Sequence, residues 1–105
     1  MNYKIYKYDF HIDDTVEIRT HDVIKLLKIG KQNPEQGVLT AWIIVDTDSE
    51  PDEDAVRLRV FGTGQPILSF DHFNNDLPVS LYIDTVQDGQ FVWHVFHADY
   101  PEAGT

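Results

Sequence analysis

Six carboxylates fall within nine residues: Asp46, Asp48, Glu50, Asp52, Glu53 and Asp54. Acids packed this closely raise one another's pKa unless a cation or a basic partner neutralises them. A helix–loop–helix calcium site needs glycine at loop position six and a bidentate acid at position twelve. Counted from Asp46, those positions hold Pro51 and Arg57, which excludes that geometry. Three readings remain: a solvated loop, contact with a basic protein surface, or calcium held in some other way.

A second constellation follows the acids. Arg57 and Arg59 are the only clustered arginines, and they precede the turn Gly62-Thr63-Gly64-Gln65-Pro66. A glycine-rich turn can aim backbone N–H groups at an anion, and arginines can hold phosphate. A phosphate loop, however, needs a following helix with a lysine close by, and Pro66 removes one donor. A small-molecule or nucleotide pocket here would use Arg57, Arg59, Thr63, Gln65 and His94, with Trp93 or Trp42 as its wall. The plainer reading is a tight turn with a positive-φ glycine, and arginines paired to the acids beside them.

The histidines carry no metal pattern. His94 and His97 lie three apart, so on a strand they point to opposite faces. If the His94 face turns inward, that ring is expected to be half-buried and bonded to a carbonyl. His11, His21 and His72 sit in or beside turns, and no zinc spacing exists. With no cysteine in the chain, thiolate sites, disulfides and cysteine nucleophiles are excluded. No Gly-x-Ser-x-Gly elbow surrounds Ser49, Ser69 or Ser80. No catalytic residue, metal or cofactor is assigned, and the chain is read as a non-enzyme.

The elements that position these groups are strands. Tyr6, Tyr8, Phe10 and Ile12 share one face of residues 3–12, and Lys7, Asp9 and His11 the other. Asp13-Asp14 makes a turn and residues 15–19 follow with Val16 and Ile18 inward, which predicts a hairpin. Residues 23–29 fit either a helix face or a strand. Their length and the turn chemistry of Asn33-Pro34-Glu35-Gln36-Gly37 favour a strand. Residues 38–45 are apolar on both faces and β-branched, which predicts a central strand covered on both faces. Residues 46–54 form a loop, and residues 55–61 a strand with Arg57 and Arg59 outward. Residues 67–78 are irregular, with one short helical turn expected near 67–75. Residues 79–86 and 91–97 are strands joined at Asp88-Gly89, a strong hairpin signal. Residues 98–105 read as a flexible tail. The expected fold is one all-β domain over residues 1–105, an antiparallel sandwich or small barrel of about seven strands.

The 105 residues and 12.1 kDa allow a single modest core. Eighteen acids against eight bases give a formal charge of -10, which disfavours direct nucleic-acid binding and anionic membranes. The aromatics lack the basic surroundings of an RNA platform and are read as core plus one exposed stripe. Met1-Asn2-Tyr3-Lys4 leads into a strand with no signal-peptide core, and Ala41–Val45 is too short to span a membrane. The lack of cysteine favours a reducing cytoplasm.

Three segments occur together: Ile5-Tyr6-Lys7-Tyr8, then Phe61-Gly62-Thr63-Gly64-Gln65-Pro66-Ile67, then Phe91-Val92-Trp93-His94-Val95-Phe96. In this order they resemble a family of small uncharacterised bacteriophage proteins with a Tyr-Gly-Thr-Gly-His-Pro-Ile-like turn and a Phe-Val-Trp-His-Val-Phe ending. This chain has Phe61 where that pattern has Tyr and Gln65 where it has His, so no role of that His transfers. The resemblance implies a phage protein at work in the cytoplasm of a bacterial host. The leading expectation is protein–protein interaction: the acidic loop meets a host or phage protein with a basic surface, and inhibition of a host defence or nucleic-acid-binding factor is its sharpest form. A small-molecule or nucleotide binder is the alternative. A virion or assembly accessory protein, packed as a homo-oligomer, is the third.

Overall fold

The computed structural model describes residues 1–65 and 81–98. Seven strands occur in chain order: β1 (Tyr3–His11), β2 (Thr15–Thr20), β3 (Asp22–Gly30), β4 (Val38–Asp46), β5 (Asp54–Gly62), β6 (Tyr82–Asp88) and β7 (Phe91–His97). They form two antiparallel sheets, ordered β1-β4-β3 and β2-β5-β7-β6. The sheets face each other as a sandwich and do not close into a barrel. None of the described residues is in an α-helix.

The core lies between the sheets. Leu39, Ala41, Ile43 and Val45 of β4 meet Val56, Leu58 and Val60 of β5, with Phe10, Val16, Ile18, Ile29, Val86 and Val95 around them. Alternation explains each contribution: successive side chains of a strand point to opposite faces, so one apolar set is buried and the polar set stays wet. The β4 strand is central in its sheet, as its apolar composition predicts, but among the described residues only its inner face is covered by the other sheet; its outer face carries the half-buried Trp42 and Ile44.

The expected β1–β2 hairpin does not form. The β1 strand pairs with β4, and β2 pairs with β5. Asp13-Asp14 instead carries the chain from one sheet to the other. Both strands have an apolar face, and opposing them across the interior covers both, which pairing them edge to edge would not. The two meet through a hydrogen bond between Tyr8 Oη and Thr20 Oγ1, 2.7 Å apart; Thr20 is buried and Tyr8 half-buried.

The ambiguous segment 23–29 is a strand, and its helix-like spacing has a cause. The β3–β4 register skips Ile24 and again Leu27, leaving two β-bulges. Each bulge adds a residue, so the inward positions Val23, Leu26 and Ile29 recur every third residue rather than every second. The skipped residues are both partly exposed.

The hairpin between β6 and β7 is present, with a shift of one residue. Asp88 pairs with Phe91, so the turn residues are Gly89 and Gln90, and only Gly89 has positive φ. Glycine at the first central position is the type II′ arrangement. The helical turn expected near 67–75 and most of the tail over 98–105 lie outside the described residues. Ala98 itself is tied down, its N–H donating to the Arg57 carbonyl at 2.9 Å.

Candidate functional site

The acidic loop is held at both ends by its own carboxylates. Asp46 Oδ1 accepts from the N–H groups of Asp48 (3.0 Å) and Asn2 (3.3 Å). Asp54 accepts from the N–H groups of Val23 (3.0 Å) and Ala55 (2.8 Å). Crowding was expected to raise the pKa of these acids. At Asp46 and Asp54 the opposite holds: those backbone donors lower both, because they bond to the charged form. Ser49 ties the middle of the loop down, its Oγ accepting from Asp22 N–H at 2.7 Å and its carbonyl lying 2.8 Å from His21 Nδ1. Arg19 donates to the Asp52 carbonyl. Glu53 N–H donates to the Glu50 carbonyl at 3.2 Å, closing a turn with Pro51 at its second position.

The six acids therefore divide. Asp46 and Asp54 serve the fold. Asp48 is 60% exposed and pairs with the N-terminal ammonium at 3.3 Å. Glu50, Asp52 and Glu53 are exposed, with no ion pair among the described residues. No three His, Asp or Glu side chains converge on a metal-sized site among the described residues.

The second constellation is only partly assembled. Thr63, Gln65 and His94 come together with Phe61 and Phe96 around a cavity of about 300 Å³. Trp93 points the other way: it belongs to the interior face, where it packs against the core and stacks on Phe91. Alternation along β7 forces this, since Trp93 and His94 are neighbours. Trp42 lies in the other sheet. Arg57 pairs with Glu17 at 3.2 Å, across the β2–β5 ladder, and not with the acidic loop. Arg59 Nε donates to the Asp14 carbonyl at 3.1 Å, with its guanidinium 5.6 Å from the Phe61 ring centre.

His94 faces outward, so the inward case with a carbonyl partner does not arise, and its ring bonds hydroxyls. Its Nε2 lies 2.8 Å from Thr63 Oγ1 and its Nδ1 3.1 Å from Thr85 Oγ1, which is 2.6 Å from Tyr82 Oη. His97 lines a separate cavity with Val23, Leu26 and Val56. Gln65 closes its own turn, its Oε1 accepting from Gly62 N–H at 2.9 Å. Gly64 has φ of 87°, the positive value expected of that turn.

Two features escaped the sequence reading. The first is Asp88, 2% exposed. Its carboxylate takes Lys31 Nζ at 2.9 Å and Gly37 N–H at 2.8 Å, locking the β6–β7 turn of one sheet to the β3–β4 connection of the other. The Lys31 and Gly37 bonds lower its pKa; Trp93 Nε1, buried without a well-formed hydrogen bond, adds the weakest pull. The Asp-Gly pair signalled a turn but not a partner 57 residues away (88 − 31). The second is the outer face of the β1-β4-β3 sheet, where Lys7, Trp42 and Lys28 share one cross-strand row. The β3 bulges, invisible in the sequence, put Lys25 and Lys28 on that face.

The chain belongs to a family defined as a domain of unknown function, DUF7352, whose model matches residues 1–104. No curated protein and no solved structure matches it.

Proposed function

We propose that the chain is a non-enzymatic binding protein, phage-encoded and at work in the bacterial cytoplasm. It acts by protein–protein contact, with the β4–β5 loop as the contacting element and a protein with a basic surface as the partner. Interference with a host defence or nucleic-acid-binding factor fits this chemistry. One observation carries the reading: Asp46, Asp54 and Ser49 fasten the loop, and that leaves Asp48, Glu50, Asp52 and Glu53 as outward charges. A fastened loop loses little freedom on binding, and outward charges steer a basic partner into place.

The test is capture of a partner from bacterial lysate by the full chain. Capture is expected at physiological salt and lost above about 0.5 M, where exposed charges are screened within a few ångströms. The variant Glu50→Gln/Asp52→Asn/Glu53→Gln should abolish capture while its circular dichroism stays that of the parent. Asp54 is left intact because its carboxylate holds β3. Capture that survives this variant refutes the reading.

A second reading has its own observation. The chain of hydrogen bonds Tyr82–Thr85–His94–Thr63 ends at the cavity beside Gln65 and Phe61. A small polar ligand there could bond the Thr63 hydroxyl. Native mass spectrometry of the purified protein decides it: a ligand retained by the parent and lost on Thr63→Val supports a pocket, and a bare mass rejects it.

A further inference from the structure

The outer face of the β1-β4-β3 sheet joins exposed apolar groups to lysine in a strongly acidic protein. Along β1 it carries Tyr3 at 52% and Ile5 at 60% exposure, followed by Lys7. Ile44 pairs with Ile5 and Lys25, and Trp42 pairs with Lys7 and Lys28. The Trp42 ring lies over Gly30 of β3: a Cβ on that residue would sit 3.1 Å from the indole. Glycine there lets the ring approach the strand's backbone, in the middle of the face.

The lysines are available. Lys25 has no ion pair among the described residues, Lys7 bonds Gln32 at 2.7 Å, and Lys28 pairs with Asp84 at 3.3 Å while 62% exposed. Exposed pairs of this kind are weak and exchange partners at little cost. Three of the chain's five lysines thus border one tryptophan.

A two-fold stack centred on this row is disfavoured by charge. Lys7, Trp42 and Lys28 occupy the middle row, so a central two-fold axis sets lysine against lysine. The complementary surface is the tip of the acidic loop. Glu50, Pro51 and Asp52 are all exposed, and the turn holds Glu50 through Glu53 within about 7 Å. Acid–proline–acid is the chemical counterpart of lysine–tryptophan–lysine. The lysine row spans about 10 Å between its outer Cα atoms, and the long lysine stems can close inward on the turn.

We infer that the lysine-bordered face of one copy receives the Glu50-Pro51-Asp52 tip of a second copy, with Pro51 on the Trp42 ring and the two acids on Lys7 and Lys28. This rests on the loop reading above and names one basic surface the loop meets. Loop and face are different patches, so the contact is head-to-tail and repeats. It also occupies the loop, so self-association and capture of another basic protein compete.

Sedimentation velocity of the full chain tests this. At about 0.1 M salt the parent should associate with a Kd of roughly 0.1–1 mM, and association should vanish near 1 M salt. Lys7→Glu/Lys28→Glu and Glu50→Lys/Asp52→Lys should each weaken association at least about tenfold. An equimolar mixture of the two variants should associate again, because each restores the patch the other lacks. Circular dichroism confirms that both variants fold. A parent that stays monomeric at about 1 mM, or a mixture that stays monomeric, overturns the inference. If the parent still captures a basic host protein in either case, the loop reading stands without it. If Glu50→Lys/Asp52→Lys retains that capture, the loop reading itself is wrong.

Discussion

Asp88 shows how one side chain can hold two sheets together. A carboxylate at 2% exposure is tolerable when each of its oxygens has a donor, and Lys31 supplies one to Oδ1 and Gly37 one to Oδ2. Lys31 reaches further, donating to the carbonyls of Val38 at 2.8 Å and of Glu35. One ammonium thus organises the β3–β4 connection and anchors the opposite hairpin. Removing the acid leaves that ammonium, 22% exposed, with carbonyl partners but no counter-charge. Asp88→Ala is expected to cost about 2–4 kcal/mol, and Asp88→Asn less, because its amide oxygen can still accept from Gly37. Urea unfolding measures both. A loss for Asp88→Ala of under about 0.5 kcal/mol, ordinary for an exposed site, would show the lock to be idle.

At the scale of elements, β3 is the strand whose behaviour is least obvious. Its bulges break the two-residue period, and this is why Val23, Ile24, Leu26 and Leu27 imitate a helix face. The register makes a sharp forecast. Val23 and Lys25 sit on consecutive β4 partners with Ile24 unpaired, and Leu26 and Lys28 do the same around Leu27. Deleting Ile24 or Leu27 therefore removes one of the two bulges and leaves Val23, Leu26 and Ile29 inward. Each deletion should cost no more than about 2 kcal/mol. Deleting Ile43 from the bulge-free β4 shifts half that strand to the wrong face and should prevent folding. Equal damage from the β3 and β4 deletions, read by urea midpoints, would contradict the bulge assignment. The regular strands β1 and β5 were legible from alternation, and β4 from its β-branched run, apolar on both faces. The partner of β1 was not, because alternation tells which face is greasy and is silent on which neighbour will lie beside it.

For the whole molecule the deciding quantity is charge. Asp9, Asp46, Asp54 and Asp88 all have lowered pKa values. Hydrogen bonds lead each time: Asn33 and Thr40 on Asp9, backbone N–H groups on Asp46 and Asp54, and Lys31 on Asp88. A carboxylate that binds its proton less tightly when folded contributes stability above its unfolded pKa, about 3.9 for Asp. That contribution disappears as pH falls through the lower folded value. Thermal stability should therefore hold from neutral pH to about pH 5 and decline below about pH 4. An opposing effect exists, since protonating exposed acids relieves the self-repulsion of a chain of formal charge -10. Salt screens this long-range repulsion but weakens short hydrogen bonds little, so at physiological ionic strength the hydrogen-bonded acids should dominate. A melting temperature that climbs steadily down to about pH 3 would mean that repulsion wins.

Composition and local pattern were enough for an all-β chain rich in acid, for where its strands lie along the sequence and, within a residue, for the β6–β7 turn, because each is a local property of a few neighbouring residues. The candidate site was legible only as a set of acids. Which two of them hold the loop depends in part on N–H groups brought in from Asn2 and Val23, outside the loop, beside the local ones of Asp48 and Ala55. The outward turn of His94, the inward turn of Trp93 and the meeting of Asp88 with Lys31 were decided in the same way, by how two sheets share one interior. That sharing is a contest among long-range pairings whose energies differ little, and no local pattern records its outcome.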